Sequence, residues 1–158
     1  MKKLLLASIV GLLASTAMAA SSGTLDISGT VSPVNEIVIN PNLANKDSLN
    51  ILGGETAKNV ASVDETSNNL NGYQIFMKSL NGGKLQHNIN PTYSTAYTVS
   101  YAGGASVSLT TADQSVRNSG PLVGLTTVTS QLTVDVTAYP TAPAGTYSDT
   151  ITISIVAN

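Results

Sequence analysis

The sequence predicts an all-β protein folded as a β-sandwich. Three observations lead to this prediction: short runs of alternating apolar and polar residues, turn signals rich in Gly, Asn and Pro between them, and no apolar repeat at helical spacing. About eight or nine strands are expected, at the spacing typical of a sandwich. The chain has no Cys, no Trp and 1 Phe, so Val, Ile, Leu and Tyr must form the core without disulfide bonds.

The N-terminus has the pattern of a signal peptide. Lys2 and Lys3 precede an apolar run of about 10 residues, which is too short to span a bilayer. Small residues then surround a predicted cleavage site between Ala19 and Ala20. The sequence therefore predicts a signal peptide at 1–19 and an exported, soluble mature chain.

The charge balance argues against a nucleic-acid partner. Removal of Lys2 and Lys3 leaves 5 of the 7 basic residues against 9 acidic ones, so the mature chain is acidic. Proteins that bind nucleic acids carry basic patches for the phosphates, and no such patch remains here. At this length a single folded domain is expected.

The strands are predicted in order from their alternation and from the turns that end them. Two hairpins are expected at 73–87 and 98–110, each around a pair of glycines. In the run at 125–139, Leu132, Val134 and Val136 lie on one face. The remaining strands are predicted at 24–32, 34–39, 48–52, 58–63 and 147–158.

The first and last of these runs are regular strands without the devices that usually protect a sheet edge. Unpaired N–H and C=O groups at an edge invite pairing with another chain, and Lys, Pro or a bulge normally prevents it. The last run has Asp149 as its only charge. Each run collects its apolar residues on one face: Leu25, Ile27, Gly29 and Val31 in the first, and Tyr147, Ile151, Ile153 and Ile155 in the last.

Two interpretations of the N-terminal run are open at this point. It is either the first strand of a closed sandwich or a strand that completes the sheet of another subunit by β-augmentation. In the second case Leu25, Ile27 and Val31 enter pockets of the neighbour, and Gly29 lets the donated backbone approach closely. A slip of one residue would turn these side chains outward, so the alternation specifies the register.

Three stretches resemble a known family. The start of the mature chain, "LDISGTVSPVNEIVI", resembles the mature start of colonisation-factor-type chaperone–usher pilins. The end, "YPTAPAGTYSDTITISIVAN", resembles the C-terminal end of those pilins and of the spore coat protein U-like group. The middle, "SNNLNGYQIFMKSLNGGKL", is similar to the Gly-Tyr strand and Gly-rich turn of that wider group.

The resemblance implies an immunoglobulin-like sandwich at 34–158 that lacks its last strand. A periplasmic chaperone lends that strand first, and the N-terminal extension of the next subunit, here 20–33, then replaces it. The donor positions implied are Leu25, Ile27, Gly29 and Val31. The acceptor groove implied lies along the C-terminal strand, with Tyr147, Ile151, Ile153 and Ile155, and the carboxylate of Asn158 is implied to anchor to the chaperone.

The function implied is a structural subunit of a fimbria or related surface fibre. Its expected partners are other copies of itself, the chaperone and an outer-membrane usher, while a host or surface ligand is left open. Its expected location is the surface of a Gram-negative bacterium, reached through the periplasm. The alternative is a monomeric secreted β-sandwich that binds a carbohydrate or another surface ligand and keeps residues 20–32 in its own sheet.

No catalytic, metal or cofactor site is predicted. His87 is the only His and its polar neighbours indicate a surface position, so the usual zinc sets cannot be assembled. Asp64 and Glu65 are adjacent, and on a strand they point to opposite faces rather than forming a catalytic pair. The Asn-rich loop at 40–50 offers a single carboxylate, Asp47, which is too little for Ca²⁺. No nucleophile elbow or phosphate-binding Gly-Lys motif is present.

Tyrosines at every fourth position offer the one candidate for ligand stacking. Tyr93, Tyr97 and Tyr101 would share one face of a strand. Core packing is the simplest interpretation, and a sugar-binding platform, which requires exposed rings, is the alternative.

Overall fold

The structure, a computed structural model, describes residues 21–158, and all regular structure in this range is β-strand. Two antiparallel sheets form, with strand orders β1-β2-β7-β5-β4-β8 and β6-β3-β9. The prediction of an all-β sandwich is thereby confirmed. The nine strands are β1 (Asn35–Pro41), β2 (Glu55–Ser67), β3 (Tyr73–Ser79), β4 (Lys84–His87), β5 (Ser94–Tyr101), β6 (Gln114–Asn118), β7 (Thr126–Val136), β8 (Tyr147–Ser148) and β9 (Ile151–Ala157).

The chain divides into two units between Val31 and Ser32. The structure describes residues 21–31 of the first unit, and they form no strand. Their large apolar side chains are exposed to solvent, by 86% for Leu25, 88% for Ile27 and 85% for Val31. The predicted signal peptide, with its cleavage site between Ala19 and Ala20, lies outside the described residues.

The core of the second unit lies between the two sheets. The predicted inner face of β7 is confirmed, because Leu132, Val134 and Val136 are all buried. They pack with inward residues of β2, β3 and β5, and Val63, Ile75 and Val99 are among the most deeply buried. The alternation of apolar and polar residues in these strands thus correctly predicts which side chains face the core.

Two long segments of chain join the sheets at one corner. Segment 73–87 contains β3 and β4, and segment 147–157 contains β8 and β9. Each segment has one strand in the small sheet and one in the large sheet. They pair antiparallel, from Tyr73 opposite Ala157 to His87 opposite Tyr147. The predicted hairpin at 73–87 is therefore wrong: Gly82 and Gly83, at φ of 63° and 75°, bend the chain from one sheet to the other instead of reversing it.

Two further strand predictions need correction. Residues 48–52 form no strand, although Leu49 and Ile51 still pack against the core from a loop and turn. The predicted hairpin at 98–110 is reduced to a single bridge between Val99 and Val107. In the second segment residues 98–101 belong to β5 and pair with β7, and residues 106–110 form no strand.

A buried ion pair connects the two sheets through the core. Glu65 on β2 is fully buried, and its Oε1 accepts hydrogen bonds from the Tyr101 hydroxyl at 2.5 Å and from Arg117 Nη1 at 3.3 Å. Arg117 lies on β6 in the opposite sheet and also donates to Ser130 Oγ on β7. The hydroxyl of Tyr73 lies close to Glu65 but outside hydrogen-bonding geometry.

These surroundings make stability sensitive to alkaline pH. Burial, followed by the neighbouring Glu65 carboxylate, raises the pKa of Tyr73 to about 12. Burial likewise raises the pKa of Tyr97 and Tyr101, with carboxylate hydrogen bonds as the next cause. A raised folded-state pKa favours the neutral phenol, so this stabilisation is complete below about pH 10, the unfolded value, and is lost as the pH rises through the folded value.

We therefore expect the free energy of unfolding to fall between pH 9 and pH 11, by about 1 kcal/mol for each of these tyrosines. Urea unfolding at the two pH values measures the difference. Tyr73→Phe should reduce the pH dependence at little cost at neutral pH, because the hydroxyl that it removes has no hydrogen-bond partner among the described residues. An unchanged pH dependence in Tyr73→Phe would contradict this assignment.

A close backbone approach at the start of β3 allows only glycine. Gly72 has a φ of +82°, and a Cβ there would lie 1.7 Å from the carbonyl oxygen of Gly120. We expect Gly72→Ala to lower the free energy of unfolding by about 3 kcal/mol or more, because strain and overlap add. Gly103→Ala is the matched control: its φ is +73° but nothing lies within 4 Å, so only the cost of the backbone conformation, about 1 kcal/mol, should appear. Equal losses in urea unfolding would show that the contact with Gly120 is unimportant.

Candidate functional site

Strand β9 is an open edge of the small sheet. Only alternate residues of β9 hydrogen-bond to the neighbouring strand β3. Two bonds that flank the ladder fix which ones: Leu80 N–H donates to Thr150 C=O, and Asn158 N–H donates to Gly72 C=O, so the even-numbered residues bond to β3. In an antiparallel ladder the intervening residues point their N–H and C=O groups away from that partner. No hydrogen bond within residues 21–158 satisfies these groups, which belong to Ile151, Ile153, Ile155 and Ala157.

Strand β1 is an open edge of the large sheet for the same reason. Asn68 N–H donates to Val34 C=O, and Asn42 N–H donates to Val60 C=O. The backbone N–H and C=O groups of the even-numbered β1 residues therefore point toward β2. The odd-numbered residues point their backbone groups away from it. In the described part of the chain these groups have no strand to pair with, and they belong to Asn35, Ile37 and Ile39.

The two open edges are neighbours with apolar inner faces. Cα atoms of β1 and β9 come within 8 Å of each other. Ile37 and Ile155 are partly buried against the core, and Ile153 is buried. Ile39 shares the inward face of β1 yet is 44% exposed. An inward isoleucine that solvent still reaches indicates that this side of the sandwich is incompletely covered.

An open cavity of about 700 Å³ lies between the end of β1 and the beginning of β9. Pro41 and Ile151 mark these two strand ends. The apolar part of its wall comes from loop residues and the large sheet, through Leu49, Ile51, Val60, Ala61, Leu85, Val134 and Val136, while Lys46, Asp47 and Asp149 also line it. The cavity therefore extends the apolar inner face at one end of the two open edges.

Asp149 holds the wall of this cavity in place. It lies between β8 and β9, where the chain passes from the large sheet to the small one. Its carboxylate accepts hydrogen bonds from Ser79 Oγ at 2.5 Å and Tyr97 OH at 2.7 Å, and from the backbone N–H of Asn81 at 3.0 Å. The only charge of the C-terminal run thus anchors the sheet crossing.

The predicted acceptor residues occupy two strands instead of one. Ile151, Ile153 and Ile155 share the inner face of β9, as the alternation predicted. Tyr147 instead lies on β8 in the large sheet, because the chain changes sheets at Asp149. It still packs against the core and lines the cavity.

The C-terminal residue is bonded to its own domain. Asn158 Nδ2 donates to the Asn71 carbonyl at 3.0 Å and to Asn118 Oδ1 at 3.1 Å. These contacts orient the end of β9. The implied anchoring of the Asn158 carboxylate to a chaperone stays a prediction.

His87 is buried, which corrects the predicted surface position. It is 6% exposed, with its ring packed edge-on against Tyr93 and Tyr147. Its Nδ1 accepts the N–H groups of Ile89 and Asn90, and its Nε2 lies 3.0 Å from the Ala144 carbonyl oxygen. The imidazole is therefore a structural link between the loops at this end of the domain.

The tyrosine series provides core packing and not an exposed stacking surface. Tyr97 and Tyr101 are buried on β5, while Tyr93 precedes that strand and is 39% exposed. The hydroxyls of Tyr97 and Tyr101 are bonded to Asp149 and Glu65. A sugar platform made of all three rings is therefore wrong.

Within residues 21–158 no cluster of His, Cys, Asp or Glu side chains could hold a metal ion. Nor does this range contain a helix long and apolar enough to cross a membrane. The chain matches no protein-family model, and no curated protein is similar to it at a significant level.

Proposed function

We propose that the protein is a structural subunit of a surface fibre that polymerises by strand donation. The N-terminal extension, residues 20–33, of one copy is the donated strand, and the open side of the sandwich between β1 and β9 of the next copy receives it. The observation that carries this proposal is a segment with the alternation of a strand but no partner, in a chain whose two sheets each have an open edge. Residues 21–31 form no strand, while β1 and β9 each have unpaired backbone groups on apolar inner faces.

Pairing with β9 satisfies both partners. The donated strand supplies N–H and C=O groups to Ile151, Ile153 and Ile155, whose own groups point to that side. Strands that neighbour each other in a sheet place opposite residues on the same face, so Leu25, Ile27 and Val31 join the inner face. Burying each of these side chains contributes about 1.5 to 3 kcal/mol.

Accommodating a whole strand requires a small movement of β1. The two edges approach within 8 Å between Cα atoms, whereas a strand bonded to both needs two spacings of about 4.8 Å. We therefore expect the donated strand to pair fully with β9 and to displace β1 outward. The open cavity of about 700 Å³ at the end of these edges supplies room for a large apolar side chain.

Export has to keep these apolar edges from pairing prematurely. We propose a periplasmic chaperone that covers β9 until assembly, an outer-membrane usher, and the surface of a Gram-negative bacterium as the final location. The unpaired edge of β9 supports this part, because an exposed apolar edge strand otherwise aggregates.

Electrophoresis of cell-surface material in SDS, with and without boiling, tests the proposed polymer. Wild type should give a ladder that collapses to monomer only on boiling, because the donated strand is held by many ladder hydrogen bonds and apolar contacts. A variant lacking residues 20–32 but retaining 1–19 should give no ladder. Wild-type monomer in both lanes would contradict strand donation and would favour a self-closed sandwich that binds a ligand.

A further inference from the structure

The junction between the N-terminal extension and β1 is held by a single side chain. The Asn68 side chain bonds on both sides of Pro33: Oδ1 accepts the Val34 N–H at 2.7 Å, and Nδ2 donates to the Ser32 carbonyl at 2.9 Å. The backbone N–H of Asn68 adds a bond of 3.2 Å to the Val34 carbonyl. The N–H and the C=O of Val34 are therefore both hydrogen-bonded to Asn68, which lies in the β2–β3 connection.

A competing use of the extension makes this junction important. Residues 25–31 could fold back as a hairpin on β1 of the same chain, with Val31 opposite Asn35 and Ile27 opposite Ile39. That register turns the same apolar residues inward as donation to another copy does. It would fill the open side of the sandwich in its own subunit and end polymerisation.

For the extension to pair with β1 of its own chain in this register, Ser32, Pro33 and Val34 must form the hairpin loop. A three-residue loop is typically a type I turn followed by a residue in the left-handed conformation. Pro33 would occupy the second central position of that turn, where proline is disfavoured because it forces Ser32 out of the helical region. Val34 would need a positive φ, which is costly for a β-branched side chain and which it does not adopt here.

Longer loops meet the same obstacle. Other loops of odd length also keep the inward register but shift the pairing by two residues. A loop of 30–34, with Gly29 opposite Asn35, again contains Pro33 and Val34 and also takes Val31 out of the paired strand. Loops of even length turn Leu25 and Ile27 to the outer face.

We infer that Asn68, together with the Ser32-Pro33-Val34 sequence, prevents the extension from completing its own subunit and so reserves it for another copy. Asn68 is a positioning residue in this role, since its hydrogen bonds reach Ser32 and Val34 at the junction and not the apolar side chains of the donated strand. The inference rests on the proposed function and adds to it the device that selects assembly over self-closure.

The test compares chains of residues 20–158 refolded from urea, by unboiled SDS electrophoresis and by limited proteolysis of the monomer fraction. The key variant combines Pro33→Asp, Val34→Gly and Asn68→Ala, which permits the loop and removes the side-chain bonds. We expect it to lose polymer and to accumulate a monomer in which residues 24–31 resist protease. Asn71→Ala is the matched control, since this exposed Asn of the same connection makes no side-chain hydrogen bond within residues 21–158, and it should polymerise like wild type.

A second variant keeps the inference testable if the triple variant does not fold. Inserting about six Gly and Ser residues between Val31 and Ser32 leaves the contacts of Asn68 intact but supplies a flexible turn, and it should also yield protected monomer. Polymerisation of both variants at the wild-type level, with a protease-sensitive extension in the monomer, would overturn the inference and leave strand donation standing. A wild type that forms protected monomer would also overturn it. If no chain formed either polymer or protected monomer, strand donation itself would fail.

Discussion

Ile27→Asp is expected to abolish polymer in unboiled SDS electrophoresis while leaving the subunit folded. Ile27 lies in the middle of the apolar face of the N-terminal extension and is 88% exposed in the single chain, so the substitution costs the free subunit almost nothing. In the proposed fibre the same position is buried on the inner face of the neighbour. The variant loses about 2 kcal/mol of apolar burial there and must also bury a carboxylate, which costs several kcal/mol more. Each 1.4 kcal/mol weakens association about tenfold.

Ser28→Asp is the matched control for this prediction. It introduces the same carboxylate one position away, on the face that already carries Asp26. We expect its ladder to match that of the wild type. Loss of polymer in both variants would point to a general effect of negative charge, and normal polymer from Ile27→Asp would contradict strand donation. Gly29→Arg extends the series, because a long side chain there prevents the close approach of the donated backbone.

Arg117→Met is expected to destabilise the folded domain by about 3 kcal/mol. Among residues 21–158 it leaves the fully buried Glu65 carboxylate with only the Tyr101 hydroxyl as partner, and one carboxylate oxygen has no partner in this range even in the wild type. Breaking a buried ion pair from one side costs about 3 to 5 kcal/mol. The lower end applies here, because the Arg117 side chain is 23% exposed. Urea unfolding at neutral pH, with the chain dilute enough to stay monomeric, measures the loss.

Two comparisons separate the ion pair from general effects of the substitution. Lys78→Met removes the exposed pair with Asp113, which has the same 3.3 Å separation, and should cost less than about 1 kcal/mol. Adding Glu65→Leu to Arg117→Met removes the unpaired charge and should recover most of the loss. If Lys78→Met and Arg117→Met cost the same, burial of Glu65 would not determine the energetics of this network.

The strands were predictable wherever one face of the strand is buried and the other is not. The inward set of β7, Leu132, Val134 and Val136, and the alternation of β9 could be recognised from the sequence, because a period of two is written into neighbouring residues. The candidate site was predictable to the same extent: the isoleucines of β9 were identified, whereas Ile39 and the cavity were not. Leu49 and Ile51 were misassigned to a strand, since loop residues can be apolar when they cover a core.

Local alternation is enough to identify an all-β protein, the inward residues of its long strands, and the strand pattern of its N-terminal extension. Three-dimensional contacts were needed to assign each strand to a sheet, to locate the change of sheets at Asp149, and to find the neighbouring open edges of β1 and β9. These contacts also decided the burial of His87 and the pairing of Glu65 with Arg117, which are 52 residues apart in the chain. The physical reason is range: alternation is a property of adjacent residues, whereas strand pairing, buried charge and open edges depend on contacts between distant ones.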